Sequence, residues 1–339
     1  MVNVRSYISA NFSKAFLTIF LPFFLIISLV YLVKIASLTS KVVLTFSELL
    51  TLYSYSIPDI IFYTLPISFV AALANTLIRL SSDNELIVIY ALGLKANTVV
   101  RGLLVLGALF SILLLSISFF TMPLTKQMYK SFKQDKKAEA KLNIVPGKFG
   151  QKFGEFYIYV KDKNKNLFKH VVIFNRENKD SEQFLSANEG ELKIKGKVSS
   201  LLLIDGHGYT YSKDKLQQAK YETLELFQKI KKRSYNFQDV VNYWTLAKTN
   251  EKRMHRLLFY MFISLIPFIS IYLIASFTMI NPRYQSNNTF LVIFGTVFLF
   301  YSLASSLQKY GSVTMLLVFV AFTAILGRWL FNVRVARYF

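Results

Sequence analysis

The stretch Ser81–Arg101, SSDNELIVIYALGLKANTVVR, lies between two long apolar segments. Ser82 and Glu85 fit the S-x-x-E capping box, in which each side chain satisfies a backbone N–H left open at a helix start. Leu86, Ile89, Tyr90 and Gly93 follow at i, i+3, i+4 and i+7, the spacing of one helical face. Gly93 stands where a glycine ends a helix. The pattern predicts a short helix over about 82–93, roughly 15 Å long for ten residues at 1.5 Å each. A tight turn would join the flanking segments more simply, so a helix here needs something to touch.

Those flanking segments belong to a series. The 339 residues are 53% hydrophobic and include 32 Phe, with the apolar residues gathered in blocks long enough to cross a bilayer. Six spans are expected: Ala15–Val33, Pro58–Ile78, Val99–Met122, Leu257–Ile280, Thr289–Leu307 and Val313–Phe331. The first is too long for a signal-peptide core and no A-x-A site follows it, so it reads as an uncleaved anchor. Pro66 should kink the second unless neighbours satisfy the carbonyl it frees.

Six spans place both termini on one side, and the short loops choose it. Arg5, Lys14, Arg79, Lys95, Arg101, Arg283, Arg328, Arg334 and Arg337 flank the side of the termini; Lys34, Lys41 and Lys309 flank the other. The positive-inside rule makes the termini cytoplasmic. The polar block Thr125–Arg256 then lies outside, although it holds 28 Lys and Arg against 15 Asp and Glu. Long translocated domains are largely exempt from the rule.

Within that block, Thr125–Leu142 reads as a helical continuation of the third span, and Phe237–Arg256 as a helix running into the fourth. Between them come Phe156–Val160, Leu167–Phe174, Gln183–Ala187, Glu191–Lys195, Ser199–Ile204, Tyr209–Ser212 and Lys220–Phe227, broken by Gly, Asn, Asp or Lys clusters such as Asp162–Asn166. About seven short strands at this spacing suggest a sandwich or jelly roll. The expected fold class is an α-helical polytopic membrane protein of six helices, three and three, with an inserted antiparallel β domain that is jelly-roll-like and lies on the outward side. Its parts are 1–124 (three helices and the short helix), 125–256 (the β domain with helical connectors) and 257–339 (three helices).

Several chemistries lack their motifs. There is no G-x-x-x-x-G-K-[ST], H-E-x-x-H or G-x-S-x-G, and no cysteine. His170, His207 and His255 are scattered and read as ordinary surface histidines. Neither a metal site nor a catalytic constellation is expected. Nucleic acid is not expected as a partner either: on the outward side the fitting polyanion is an anionic lipid or glycolipid, or the charge is simply solvated.

The 3 + 3 arrangement split by an exported β domain resembles the lipopolysaccharide-export permeases of the LptF/LptG family. The likeness rests on Leu77-Ile78-Arg79-Leu80, Ser82-Asp83-Asn84-Glu85-Leu86 and Ala91-Leu92-Gly93-Leu94, similar to that family's cytoplasmic coupling helix. It rests also on Val4-Arg5-Ser6-Tyr7 before the first span and on Ile280-Asn281-Pro282-Arg283, which is more like LptF than LptG. Tyr284-Gln285-Ser286 then departs from the glycine and basic residue expected after it. The resemblance implies a half-transporter in the bacterial inner membrane. It would pair with a paralogous, LptG-like subunit and be driven by a cytoplasmic LptB-like ATPase dimer, which uses the ATP. It would pass lipopolysaccharide to LptC/LptA-like bridge proteins, and it binds no cofactor itself. A membrane receptor with a ligand-sensing β domain, or an envelope scaffold, is the alternative.

The resemblance also orders the candidate residues. Asp83, Glu85, Leu86, Ile89 and Tyr90 are candidates for coupling to the ATPase, although Glu85 also suits a cap, Asp83 suits a helix dipole, and the three apolar residues could pack on membrane helices. Lys34, Lys41 and Lys309 are candidates for holding lipid A phosphates, against plain snorkelling to headgroups. Phe156, Ile158, Val160, Leu201 and Leu203 form either an ordinary β core or an apolar trough for acyl chains.

Overall fold

A computed structural model describes residues 4–39, 44–142, 144–153, 156–164, 167–178, 181–195, 198–212, 215–229, 235–279 and 289–337. They form two compact units: one of 1–37, 45–129 and 237–339, the other of 38–44 and 130–236.

Six helices of the first unit are long and apolar enough to cross a membrane. In chain order the helices are α1 (Val4–Thr39), α2 (Phe46–Ser82), the short α3 (Glu85–Ala91), α4 (Ala96–Ser116), α5 (Met122–Leu142), α6 (Val240–Thr245), α7 (Glu251–Thr278), α8 (Thr289–Tyr310) and α9 (Val313–Phe331). The 36 residues of α1 span about 54 Å, well beyond the roughly 30 Å of hydrocarbon, so its ends project past the bilayer core.

Burial is uneven among the six. The apolar windows of α2 and α7 are 78% and 72% buried, whereas those of the other four range from 11% to 28%. Helices α2 and α7 are therefore the centre of the bundle. Small side chains make the close approach possible. A Cβ on Gly107 of α4 would lie 2.8 Å from the Pro267 carbonyl and 2.5 Å from Ile271 Cδ1 of α7. Ser264, Ser270 and Ser276 of α7 are fully buried as well, as expected where dispersion rather than water exclusion holds membrane helices together.

Prolines in spans must be answered locally, because hydrocarbon offers no donors. Pro123 lacks the N–H that would reach the Phe119 carbonyl four residues back. The chain widens there into a π-helical turn, Ile117–Thr121, and the Trp244 indole N–H donates to that carbonyl at 3.0 Å. Pro66 leaves the Phe62 carbonyl open; the Tyr301 hydroxyl donates to the next one, that of Tyr63, at 3.2 Å, and α2 runs on unbroken to Ser82. The single helix expected over Phe237–Arg256 is two. Helix α6 ends at Thr245, and Asn250 starts α7 afresh by accepting the Arg253 N–H on its side chain at 3.3 Å.

The second unit holds one antiparallel sheet of six strands in sequential order: β1 (Gln151–Phe153), β2 (Phe156–Asn164), β3 (Leu167–Asn178), β4 (Ser181–Lys195), β5 (Val198–Ser212) and β6 (Lys215–Lys229). The inserted antiparallel β domain is thus present, and its strands are longer and fewer than the spacing suggested. Strand β2 continues through Asp162–Asn164, part of the expected turn cluster, and Asn164 pairs with Leu167. Gln183–Ala187 and Glu191–Lys195 are one strand, as are Ser199–Ile204 and Tyr209–Ser212.

The sequence breaks mark a crease. The ladders skip Lys161, His170, Asn188, Asp205 and Glu222, one residue per strand in a row across the sheet. His170 and Asp205 take left-handed backbone angles, φ 52° and 50°, and Asn188 Nδ2 donates to Asp205 Oδ2 at 2.7 Å. One skipped residue switches which alternate side chains face inward: Leu201 and Leu203 are buried before the crease and Gly206 after it. A Cβ at Gly206 would collide with the Ser186 carbonyl at 2.2 Å, so Tyr221 packs over bare backbone there. Its hydroxyl donates to the same carbonyl at 2.9 Å, and burial raises its pKa.

Gly107→Val should lower the thermal midpoint of the purified protein in detergent, since overpacking a tight contact costs about 1–3 kcal/mol. An unchanged midpoint would contradict the close α4–α7 approach.

Candidate functional site

Helix α3 owes its existence to two reversals of the chain. The first is at Asn84, whose φ of 61° places it in the left-handed region that Asn tolerates better than most residues. The capping box expected from Ser82 and Glu85 does not form. Ser82 is the last residue of α2, Asp83 caps that helix, and α3 has no side-chain cap hydrogen bond. An equivalent contact occurs instead at the start of α2, where the Thr45 N–H donates to Glu48 Oε2 at 2.9 Å. The second reversal is at Gly93, φ 79°. Its N–H donates to the Tyr90 carbonyl at 2.9 Å and that of Leu94 to Ile89 at 3.4 Å, the paired bonds of a Schellman ending. The helix is seven residues, about 10 Å, rather than ten.

Its faces divide cleanly. Leu86 and Ile89 are buried in the core shared by the membrane helices, and Tyr90 packs against it. Burial raises the Tyr90 hydroxyl well above the usual tyrosine range. Ile87, Val88 and Leu92 are exposed, Leu92 at 71%. Of the predicted coupling residues, then, the apolar ones anchor α3, and the apolar surface it presents comes from neighbours that the periodicity passed over.

The two acids behave differently. Asp83 pairs with Arg79 at 3.5 Å, an exposed i, i+4 contact worth at most about 1 kcal/mol. Glu85 is reached from the first helix: the Tyr7 hydroxyl donates to its Oε2 at 2.9 Å. Val4, Tyr7, Asp83, Glu85, Val88 and Ile89 line a cleft of about 240 Å³, which sets two carboxylates among apolar side chains.

Far from this cleft lie the lysines expected to meet phosphate. Lys34, near the end of α1, is exposed, its ammonium 5.5 Å from the Tyr31 ring centre. Lys309, in the last turn of α8, sits 4.9 Å from the Tyr310 ring centre and closes an open groove of about 650 Å³. Phe294, Phe298, Tyr301 and Ser302 also line that groove. Lys41 falls outside the described residues, as does Ile280-Asn281-Pro282-Arg283. In the β domain, Ile158, Val160, Leu201 and Leu203 are at most 1% exposed, closed over by Phe168, Val171, Ile173 and Ile144. Phe156 is half-buried at the edge of the same cluster.

The family model described as lipopolysaccharide export system permease LptF/LptG matches residues 6–334. The chain belongs to the LptF/LptG family. It is a permease-family protein, multi-pass in the inner membrane, with a role in lipopolysaccharide export. The family model covers both LptF and LptG and does not separate them. A comparison with curated protein sequences gives no match.

Two features of this LptF/LptG protein lie beyond the expected site residues. Nothing local to Tyr7 in the sequence ties it to Glu85, 78 positions away. Asp59 does carry a local signal, since an acid inside an apolar span is rare and costly. It lies 3.4 Å from Lys126 of α5, whose ammonium also donates to the Tyr260 hydroxyl of α7, so one ion pair joins three helices.

Gly93→Ala should destabilise α3 by about 1 kcal/mol, since a Cβ opposes the left-handed ending. Faster amide exchange confined to 85–94 would show it; exchange at the native rate would contradict the ending described.

Proposed function

We propose that this chain is one half of an ABC-type lipopolysaccharide exporter, paired with a homologous subunit and worked by a separate cytoplasmic ATPase at α3. The observation that carries the reading is α3 itself. It is a short helix between two spans, anchored inward by Leu86 and Ile89, presenting Ile87, Val88 and Leu92 outward beside a cleft that two carboxylates line. A partner with a basic, apolar-edged groove fits that surface. The excess of Arg and Lys beside it supports a cytoplasmic location for the termini and α3. The β domain then lies in the periplasm, where it would meet bridge proteins.

Asp83 and Glu85, in this reading, face cations of the ATPase, while Leu86, Ile89 and Tyr90 transmit the load into the bundle. Lys34 and Lys309 sit at the outward ends of spans, where lipid A phosphates would pass, and Lys41 follows Lys34 in sequence as a further candidate. The groove beside Lys309 runs from Phe294, Val297 and Phe298 through Tyr301 and three serines, Ser302, Ser305 and Ser306, to the ammonium, an apolar-to-basic order that suits a phosphorylated glycolipid. A path for acyl chains along Phe156, Ile158, Val160, Leu201 and Leu203 requires their closed face to part. Ile280–Arg283 inclines the assignment towards LptF.

Purification in mild detergent should bring down an ATPase whose turnover responds to added lipopolysaccharide. Glu85→Lys should weaken that association at least tenfold while strand content, read by circular dichroism, is kept. Full association of the variant would remove Glu85 from the interface. Lys34→Glu should reduce photo-cross-linking to lipopolysaccharide several-fold with assembly intact; undiminished cross-linking would return Lys34 to a headgroup anchor.

A further inference from the structure

Two segments that the sequence offered separately, Val4-Arg5-Ser6-Tyr7 and Ser82–Glu85, meet in the folded chain. Tyr7 is one turn into α1, and its hydroxyl donates to Glu85 of α3 at 2.9 Å. Val4 and Tyr7 form one wall of the cleft that Asp83, Glu85, Val88 and Ile89 complete. Among the described residues Glu85 makes no other hydrogen bond or ion pair. A carboxylate has two oxygens, and Oε2 is given to Tyr7, which leaves Oε1 for a cation brought by a partner.

The rest of α1 explains why this contact matters. Apart from Ser28 and Ile35, its buried residues are Ile8, Phe12 and Phe16, all in the first half of the helix. Those three stand on one face at i, i+4 and i+8, and Phe12 packs on Phe69 of α2 and Phe110 of α4, with ring centres 5.0 and 6.2 Å apart. Beyond them Leu17, Leu21, Leu25, Leu29 and Val33 are exposed. Thus α1 packs on the core mainly near its beginning, and its holds farther along are sparser: the hydrogen bond between the Ser28 and Tyr53 hydroxyls and the buried Ile35. A helix packed mainly at one end is shifted along its length by a displacement at that end, here against a single hydrogen bond at Ser28.

We infer that Tyr7 is a positioning residue that relays movement of α3 into α1, through its hydroxyl on Glu85. This rests on the reading of α3 as the ATPase contact. A partner cation on Oε1 would pull on the same carboxylate that holds Tyr7. Docking would also exclude water from the cleft, which strengthens the hydroxyl–carboxylate bond at the moment load is applied. The 36-residue length of α1 then carries the displacement to the end that bears Lys34.

The test uses the full chain in its purified complex with the co-purifying ATPase. Tyr7→Phe removes one oxygen and keeps the ring, so folding and the cleft wall are preserved. In the assembled fraction, lipopolysaccharide released per ATP hydrolysed should fall about fivefold, the scale of one lost hydrogen bond. The chain has no cysteine, so exposed Val33→Cys and Tyr310→Cys can carry a pair of spin labels. Their separation should change when the ATPase is trapped with ADP–vanadate, and most of that change should vanish in Tyr7→Phe. Glu85→Gln retains an oxygen acceptor for Tyr7 but loses the charge; it should lower association while leaving release per ATP in the assembled fraction near native. Native release per ATP and a native label shift in Tyr7→Phe would overturn the relay alone. Failure of any ATPase to associate with the unmutated chain would overturn the reading of α3, and the relay with it.

Discussion

The packing of α7 against α2 and α4 sets where every other span of the bundle can go. Each of these contacts needs small or hydroxyl side chains at the crossing, because helices in lipid gain nothing from excluding water and must gain it from close fit. Gly107 brings the α4 backbone onto the Pro267 carbonyl, and the buried serines of α7 keep its other faces narrow. With α2 and α7 enclosed, α1, α8 and α9 are left with broad apolar faces turned outward. Those faces suit lipid or another membrane protein.

Several polar groups within this bundle are answered from other helices. The Trp244 indole serves a carbonyl beside Pro123, Tyr301 serves one beside Pro66, and Lys126 joins Asp59 and Tyr260. These contacts tie α5, α6 and α7 to the spans at the end of the bundle away from α3. At α3 the logic is different. Leu86 and Ile89 fix the helix to the core, while Glu85 reaches across to α1, the span with the least packing of its own. A rigid centre with one lightly held helix is an arrangement in which a push at one end can be felt at the other.

Much of this was legible in the residues. Length and hydropathy found all six spans, since twenty apolar residues have few other uses, and Gly93 correctly marked the end of α3. The start of α3 was misread for a local reason. Ser82 and Glu85 have the spacing of a capping box, but α2 runs one turn further than its apolar face, and Asn84 makes the reversal instead. In the β domain, Asn188 and Asp205-Gly206 look like turns because they carry turn chemistry. That chemistry serves a crease within continuous strands. The Tyr7–Glu85 contact left no trace in periodicity or spacing, because it depends on how α1 lies across α3. Ile87, Val88 and Leu92 were missed because the apolar pattern identifies the face that is buried, not the one offered to a partner.

The central claim is that this LptF/LptG-family chain moves lipopolysaccharide when an ATPase works at α3. Its most direct test is release of labelled lipopolysaccharide from proteoliposomes containing the purified complex, with an acceptor protein outside. The account predicts release that requires ATP hydrolysis and stops with vanadate. Release that proceeds equally without ATP, or ATP consumption with no release to the acceptor, would contradict it.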